Sequence, residues 1–259
     1  MHLAPEKLEE FRRRGWTTVE GVFSVSAVDA IAELAVSLCE QELASNDSSY
    51  FADRSAAGKV VPRKLDHPFL RHRDLRIFVL SPRLRGLVDQ FIGTPPLLLA
   101  DQIFMKPPRF GSAKPYHQDN AYFRCHPDDQ VLTAWIALDD VNESNGCLRY
   151  IDGSHRGPIL EHVPVPGEPY NQAPTADQID LSREAPACVG KGGVVFHHSK
   201  ALHTSHRNES DRWRRAYATH WVGAEVTSEG DRIETAHYNR HPELYEEALA
   251  ATLQGAGSD

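Results

Sequence analysis

The order of segments constrains this chain most. Helical patterns come first, and from Leu97 to Val222 the chain breaks into short runs of strand-favouring residues separated by turns. The runs Leu97 to Lys106, Val131 to Leu138, Cys147 to Ile151, Val194 to His197, Ala201 to Ser205 and Trp213 to Val222 are rich in β-branched and aromatic residues. Short strands between turns predict a sandwich or barrel. Upstream, Pro5 to Arg14 reads as a helix with Pro near its start and Gly15 past its end. Trp16 to Val19 reads as a first strand. From Ser26 the residues Val28, Ile31, Leu34, Ala35 and Leu38 recur at helical spacing, so that helix buries one face and ends near Glu42. Another helix has Ser81 as cap, Pro82 as its first residue, Leu84, Leu87, Val88 and Ile92 inward, and Gly93 as its stop. Pro242 to Leu253 is a final helix.

The expectation is a mainly β protein with flanking helices, folded as a single domain over 1–259. It divides into a mainly helical layer at 1–95, a β core at 96–222, and a C-terminal extension with a helix at 223–259. Pro164 to Pro186 shows no periodicity, and loops of that length inside compact domains are typically lids or disordered segments; of the two, a lid over the site is expected there.

Several function classes are disfavoured at once. No segment approaches the ~20 apolar residues that span a bilayer, and Met1 to Trp16 lacks the apolar stretch of a secretory signal. No membrane partner and a cytoplasmic location are therefore expected. A net charge of -8 disfavours nonspecific attraction to a phosphate backbone, so no nucleic-acid partner is expected. The basic stretch Arg63, Lys64, Arg71, Arg73, Arg76, Arg83 and Arg85 reads as the solvated faces of two helices. Cys39, Cys125, Cys147 and Cys188 have no paired spacing and read as unpaired thiols.

His117-Gln118-Asp119 places an imidazole and a carboxylate two residues apart, and on a strand such side chains leave the same face. Two imidazoles and one carboxylate on one face of an octahedron, with open positions opposite, hold iron(II) in non-haem oxygenases. A second His is then needed from elsewhere, and His197, His198, His203 and His206 lie in one later stretch. The pattern His-x-Asp is not specific, since it occurs three times. His72-Arg73-Asp74 falls in an Arg-rich helical stretch where i and i+2 do not share a face, and His126-Pro127-Asp128 looks like a turn.

The wider context separates His117-Gln118-Asp119 from the other two. Lys106-Pro107-Pro108 precedes it and Tyr122 follows it. Then come Thr133-Ala134-Trp135-Ile136-Ala137-Leu138, Asn145-Gly146-Cys147-Leu148, Gly153-Ser154-His155-Arg156-Gly157 and Gly192-Gly193-Val194-Val195-Phe196-His197-His198. Leu202-His203-Thr204-Ser205 leads to Asn208, Ser210, Arg214, Arg215 and Ala216. In these blocks, over roughly residues 10 to 222, the chain resembles the phytanoyl-CoA dioxygenase family of iron(II)- and 2-oxoglutarate-dependent oxygenases. Asp152, where a Pro commonly precedes the Gly-Ser-His block, and Gln102, where some relatives carry Met, depart from the pattern.

The resemblance implies a double-stranded β-helix core, of jelly-roll or cupin-like form, beneath an N-terminal helical layer. It implies His117, Asp119 and His203 as the catalytic iron(II) ligands and Arg214 as the group binding the distal carboxylate of 2-oxoglutarate. Further co-substrate contacts fall at Gln102, Trp135 and Lys64. Ser205 shares a strand face with His203, so its hydroxyl lies within reach of the Arg214 site. Strand alternation places Arg214 with Ala216, Ala218 and His220, and Arg215 with Tyr217, so only one of the two arginines is expected at the site. The expected activity is dioxygen- and 2-oxoglutarate-dependent hydroxylation of an unactivated C-H bond in a small-molecule substrate. The carboxylate of Asp119 stands where related halogenases carry a small residue, which disfavours halogenation. The alternatives are a non-catalytic metal- or ligand-binding barrel and a zinc hydrolase, whose ligand set is similar.

Overall fold

The computed structural model describes residues 1–45, 52–55 and 57–255. Two antiparallel sheets face each other. The larger runs in the order Trp16–Val19, Val194–His198, Val131–Ala137, Arg214–Val222, Leu97–Lys106 and Lys64–Asp66. The smaller runs Glu184–Ala187, Leu148–Ile151, His203–Ser205 and Lys114–His117. Every neighbouring pair in both sheets is antiparallel. This is the jelly-roll, double-stranded β-helix core with flanking helices.

The helices cover the outer face of the larger sheet, which is why its central strand Val131–Ala137 is buried at every position. Alternation sorts the side chains. Ile136, Phe196, Tyr217 and Ile103 join Leu84, Leu87, Val88 and Ile92 of the Pro82–Ile92 helix in the main core. The opposite faces contribute Trp135, Val195, Ala216 and Ala218 to a second cluster between the sheets, with Leu148 and Tyr150. Each large aliphatic side chain so buried contributes roughly 1.5–3 kcal/mol. On the inner face of Arg214–Val222 the small Ala218 lines a cavity.

The helices follow the sequence closely. Pro5–Arg14 ends at Gly15 (φ 85°) and Pro82–Ile92 ends at Gly93 (φ 78°), both left-handed as a glycine permits. Ser81 makes no side-chain capping bond. The region 1–95 is less purely helical than its pattern implied, because Trp16–Val19 and Lys64–Asp66 form the two edges of the larger sheet. Both segments are short, and the pairing that makes them strands is with distant residues. Arg63 and Lys64 accordingly leave the solvated basic faces and line the interior cavity. The Pro164 to Pro186 stretch is also more regular than expected: Val163–Val165 pairs with Glu168–Ala173, and Glu184–Ala187 is an edge strand, where Pro186 is tolerated.

Asp152 has a visible role at the turn where it departs from the family pattern. Its carboxylate accepts hydrogen bonds from Arg14 Nε (3.0 Å) and Trp16 Nε1 (2.8 Å), fastening the first helix to the sheet edge.

Candidate active site

His117 ends the Lys114–His117 strand and lies opposite His203 in the antiparallel register, so both imidazoles leave the same face and their ring centroids are 4.2 Å apart. Asp119 is not on that strand. Its backbone is helical (φ -57°, ψ -39°) and opens the short Asn120–Phe123 helix, so the shared face assumed from spacing two is replaced by a turn that swings the carboxylate to the same point. Gln118 anchors the turn, donating from Nε2 to the Lys200 carbonyl (2.8 Å) and accepting at Oε1 from Leu160 N–H (2.8 Å).

Three donor atoms converge. Asp119 Oδ1 lies 3.7 Å from His117 Nε2 and 3.8 Å from His203 Nε2, and among the described residues none of the three makes a hydrogen bond. The far side of each of the three side chains is tied down. His117 Nδ1 is 2.9 Å from the Pro115 carbonyl and His203 Nδ1 is 2.9 Å from the Ala201 carbonyl, which fixes the proton on Nδ1 and leaves each Nε2 lone pair facing inward. Asp119 Oδ2 accepts from Thr133 Oγ1 (2.6 Å) and His197 Nε2 (3.0 Å). The chemistry of this set suits a divalent metal with open positions.

Protonation favours the same state. Burial pushes His117 well below the ordinary imidazole range, with the His203 ring adding to it, and burial lowers His203 to about 4. Burial alone raises a carboxyl, but the His197 hydrogen bond and the surrounding imidazoles hold Asp119 well below its ordinary value. Neutral imidazoles and an ionised carboxylate are the metal-binding forms.

A second cluster, His67, Asp101 and His237, also brings three ligand atoms within 4.8 Å of one another. There both carboxylate oxygens are taken. Asp101 Oδ1 is 2.7 Å from His237 Nε2, and Oδ2 accepts from Phe69 N–H (2.8 Å) and Tyr217 Oη (2.5 Å). That cluster reads as a structural network tying helices to sheet.

The first cluster opens into a cavity of about 390 Å³. All eight residues singled out in the sequence line it: His117, Asp119, His203, Arg214, Trp135, Gln102, Lys64 and Ser205. Arg214 is 2% exposed, its Nε is buried without a hydrogen-bond partner, and its guanidinium lies 5.5 Å from the Trp135 ring centre. Burial lowers its pKa to about 10. Arg215 points the other way and forms a two-bond ion pair with Asp139 (2.9 and 2.7 Å). An orphaned, buried guanidinium beside a three-donor cluster fits a bound carboxylate. Gln102 and Trp135 flank Ala218 on neighbouring strands. Lys64, from the edge strand, is bonded to Asp66 at 2.8 Å.

Sequence reasoning missed the supports. Lys106, paired with Arg214 across the strands, buries its ammonium against Ser205 Oγ (2.8 Å) and the His206 carbonyl. Burial and the neighbouring Arg214 lower its pKa strongly. Thr133 and His197 were also available to a period-two reading, since they share faces with Trp135 and Val195.

Comparison with known proteins agrees with this geometry. The phytanoyl-CoA dioxygenase (PhyH) family matches residues 11–216. Mouse phytanoyl-CoA dioxygenase domain-containing protein 1 is 28% identical over 287 residues, covering 94% of this chain and 99% of that protein. The probable alpha-ketoglutarate-dependent hypophosphite dioxygenase of Stutzerimonas stutzeri is 29% identical over 228 residues, covering 85% and 79%. EvdO2 from Micromonospora carbonacea var. aurantiaca, solved in complex with 2-oxoglutarate, aligns with a TM-score of 0.70 at 25% identity, covering 89% of this chain and 95% of that one. Fold, site and relatives together define a non-haem iron, 2-oxoglutarate-dependent dioxygenase. Within that class the chain belongs to the phytanoyl-CoA dioxygenase family. Membership weighs against the zinc hydrolase and the non-catalytic barrel. Among the described residues no helix is long and apolar enough to cross a membrane.

Proposed function

We propose that His117, Asp119 and His203 hold iron(II), that Arg214 receives the distal carboxylate of 2-oxoglutarate, and that the enzyme hydroxylates an unactivated C-H bond of a small organic substrate. The observation that carries this reading is the pairing, in one cavity, of three unbonded donor atoms with the unpartnered Nε of Arg214. Bound iron supplies dioxygen activation coupled to decarboxylation of 2-oxoglutarate to succinate and carbon dioxide. The chain's own residues do the rest. Arg214 presents a planar fork that matches a carboxylate. Lys106 holds the Ser205 hydroxyl beside it, and Trp135 and Gln102 are cavity walls along which the keto acid would lie. The cavity limits water at the reacting centre. Asp119 keeps one metal position for a carboxylate, which supports oxygen insertion over halogenation.

Anaerobic addition of iron(II) and 2-oxoglutarate tests this. The expected result is the weak visible charge-transfer band of the chelate, lost in the double variant His203→Ala, Asp119→Ala. Absence of the band in the intact protein, or its persistence in that variant, overturns the assignment.

A further inference from the structure

The cavity carries more positive charge than the co-substrate requires. The whole chain has net charge -8, yet Arg63, Lys64, Lys106, Lys114, Arg214 and Arg232 line this cavity against two carboxylates, Asp66 and Asp119. Most of these cations have visible work. Lys64 is bonded to Asp66 (2.8 Å), Arg63 Nε is 4.0 Å from Asp53, Lys114 bonds Asn171, and Lys106 supports Ser205 beside Arg214. Arg232 differs. It lies half-buried in the segment after the last core strand, and among the described residues its guanidinium makes no ion pair and no hydrogen bond. Its guanidinium lies over the ring of Phe123, 5.6 Å from guanidinium carbon to ring centre.

Its position relative to the metal cluster is informative. Phe123 packs edge-on against His220 (4.8 Å between centroids), and His220 Nδ1 lies 3.7 Å from Asp119 Oδ2. His220 stands six residues beyond Arg214 on one strand, roughly 20 Å at the usual rise of a β-strand. Arg214 and Arg232 therefore serve opposite ends of the cavity, with the three-donor cluster between them. With iron(II) and the co-substrate dianion bound, their charges, Asp119 and Arg214 would sum to zero, which leaves the charge of Arg232 unbalanced at its end of the cavity. A partly desolvated guanidinium with no partner attracts oxyanions and binds them through two parallel hydrogen bonds.

We propose that the primary substrate is a small organic acid whose carboxylate or phosphoryl oxyanion is bound by Arg232, leaving a C-H bond of the same molecule facing the metal. This rests on the iron and 2-oxoglutarate reading above. The Phe123 ring supplies the apolar wall between the anchored head and the reacting carbon. Arg232 thus sets specificity, while Arg214 serves the co-substrate.

The test uses anaerobic protein loaded with iron(II) and 2-oxoglutarate, titrated separately with acetate, methylphosphonate and the neutral acetamide, reading the heat of binding and the chelate band. The expected result is that at least one anion binds without displacing 2-oxoglutarate and perturbs the band, while acetamide is silent. Acetate and methylphosphonate distinguish a carboxylate from a phosphoryl head. Arg232→Gln weakens anion binding at least about tenfold, Arg232→Lys less, and both keep the wild-type affinity for 2-oxoglutarate. Equal anion binding by wild type and Arg232→Gln, direct competition with 2-oxoglutarate, or no binding by wild type in the millimolar range overturns the proposal. If the band never forms in wild type, the metal and co-substrate reading fails separately, and the heats still decide whether Arg232 binds an anion.

Discussion

His197 Nε2 lies 3.0 Å from Asp119 Oδ2, and its other ring nitrogen lies 2.8 Å from the Tyr150 hydroxyl. The first bond needs a proton on Nε2, so the second is donated by tyrosine, and the imidazole is fixed in one tautomer and one orientation. On the proposed assignment His197 therefore supports Asp119 and is not itself a ligand. Replacing such a group in a metal site typically costs roughly 10- to 100-fold in metal affinity. His197→Ala is expected to require that much more iron(II) for half-maximal chelate absorbance, yet to reach the wild-type band at saturation. His203→Ala is expected to show no band at any iron concentration. Identical iron titrations for His197→Ala and wild type defeat this division of roles.

Arg214 has an orphaned Nε and a counterpart in Arg215 that is fully paired with Asp139. The two neighbours should separate cleanly in kinetics. Arg214→Lys keeps the charge but loses the planar fork, so the KM for 2-oxoglutarate should rise by roughly 100-fold, with a smaller change in kcat. Arg215→Lys leaves the cavity untouched and should leave that KM within about twofold, with its effect confined to stability. Similar losses in both variants, read from succinate release against 2-oxoglutarate concentration, contradict the assignment.

Much of this was legible because it is periodic or local. The helix stops at Gly15 and Gly93, the inward Leu84, Leu87, Val88 and Ile92, and the opposite facing of Arg214 and Arg215 all follow from spacing alone. Choosing the His-x-Asp pair needed the surrounding blocks, because His72 and His126 offer the same three-residue pattern. The structure shows what spacing could not. His72 caps a helix, its Nδ1 accepting from Asp74 N–H, and His126 is exposed near Glu229. What stayed hidden is nonlocal. Lys64 becomes an edge-strand residue only through pairing with Phe104, and Arg232 reaches the cavity from a turn without periodicity. Asp119 reaches the cluster through a helical turn, not along the strand face it would share with His117 at a spacing of two.

His198 gives a pH dependence with a definite sign. Burial lowers its pKa from 6.5 to about 4; the ring of His155 lies 5.4 Å away, with Lys200, His197 and Asp128 also nearby. Above pH 6.5 the imidazole is neutral in folded and unfolded chains alike, so nothing is lost. Between pH 6.5 and 4 the unfolded chain binds a proton that the folded chain refuses, and stability falls by on the order of 3 kcal/mol at about 1.4 kcal/mol per pH unit. Nδ1 accepts from Lys200 N–H at 3.0 Å, a role the Asn amide oxygen reproduces. His198→Asn in chelator-treated protein should therefore lose less stability than wild type on acidification across that range, as measured by urea midpoints. Parallel pH curves for the two proteins exclude the effect.

Ala218 puts the cavity itself to the test. It faces inward between Gln102 and Trp135, and it is 3% exposed. Ala218→Leu adds three carbons to the wall along which 2-oxoglutarate would lie, while the proposed ligands on the Lys114–His117 and His203–Ser205 strands are untouched. Overpacking a core costs typically about 1–3 kcal/mol, but here part of the added volume projects into open space, so the fold should survive at the lower end of that range. The variant should bind iron(II) with wild-type affinity and fail to develop the chelate band. A substituent that weakened iron and keto-acid binding alike would point to general distortion. One that left both intact would place the co-substrate away from the inner face of this strand.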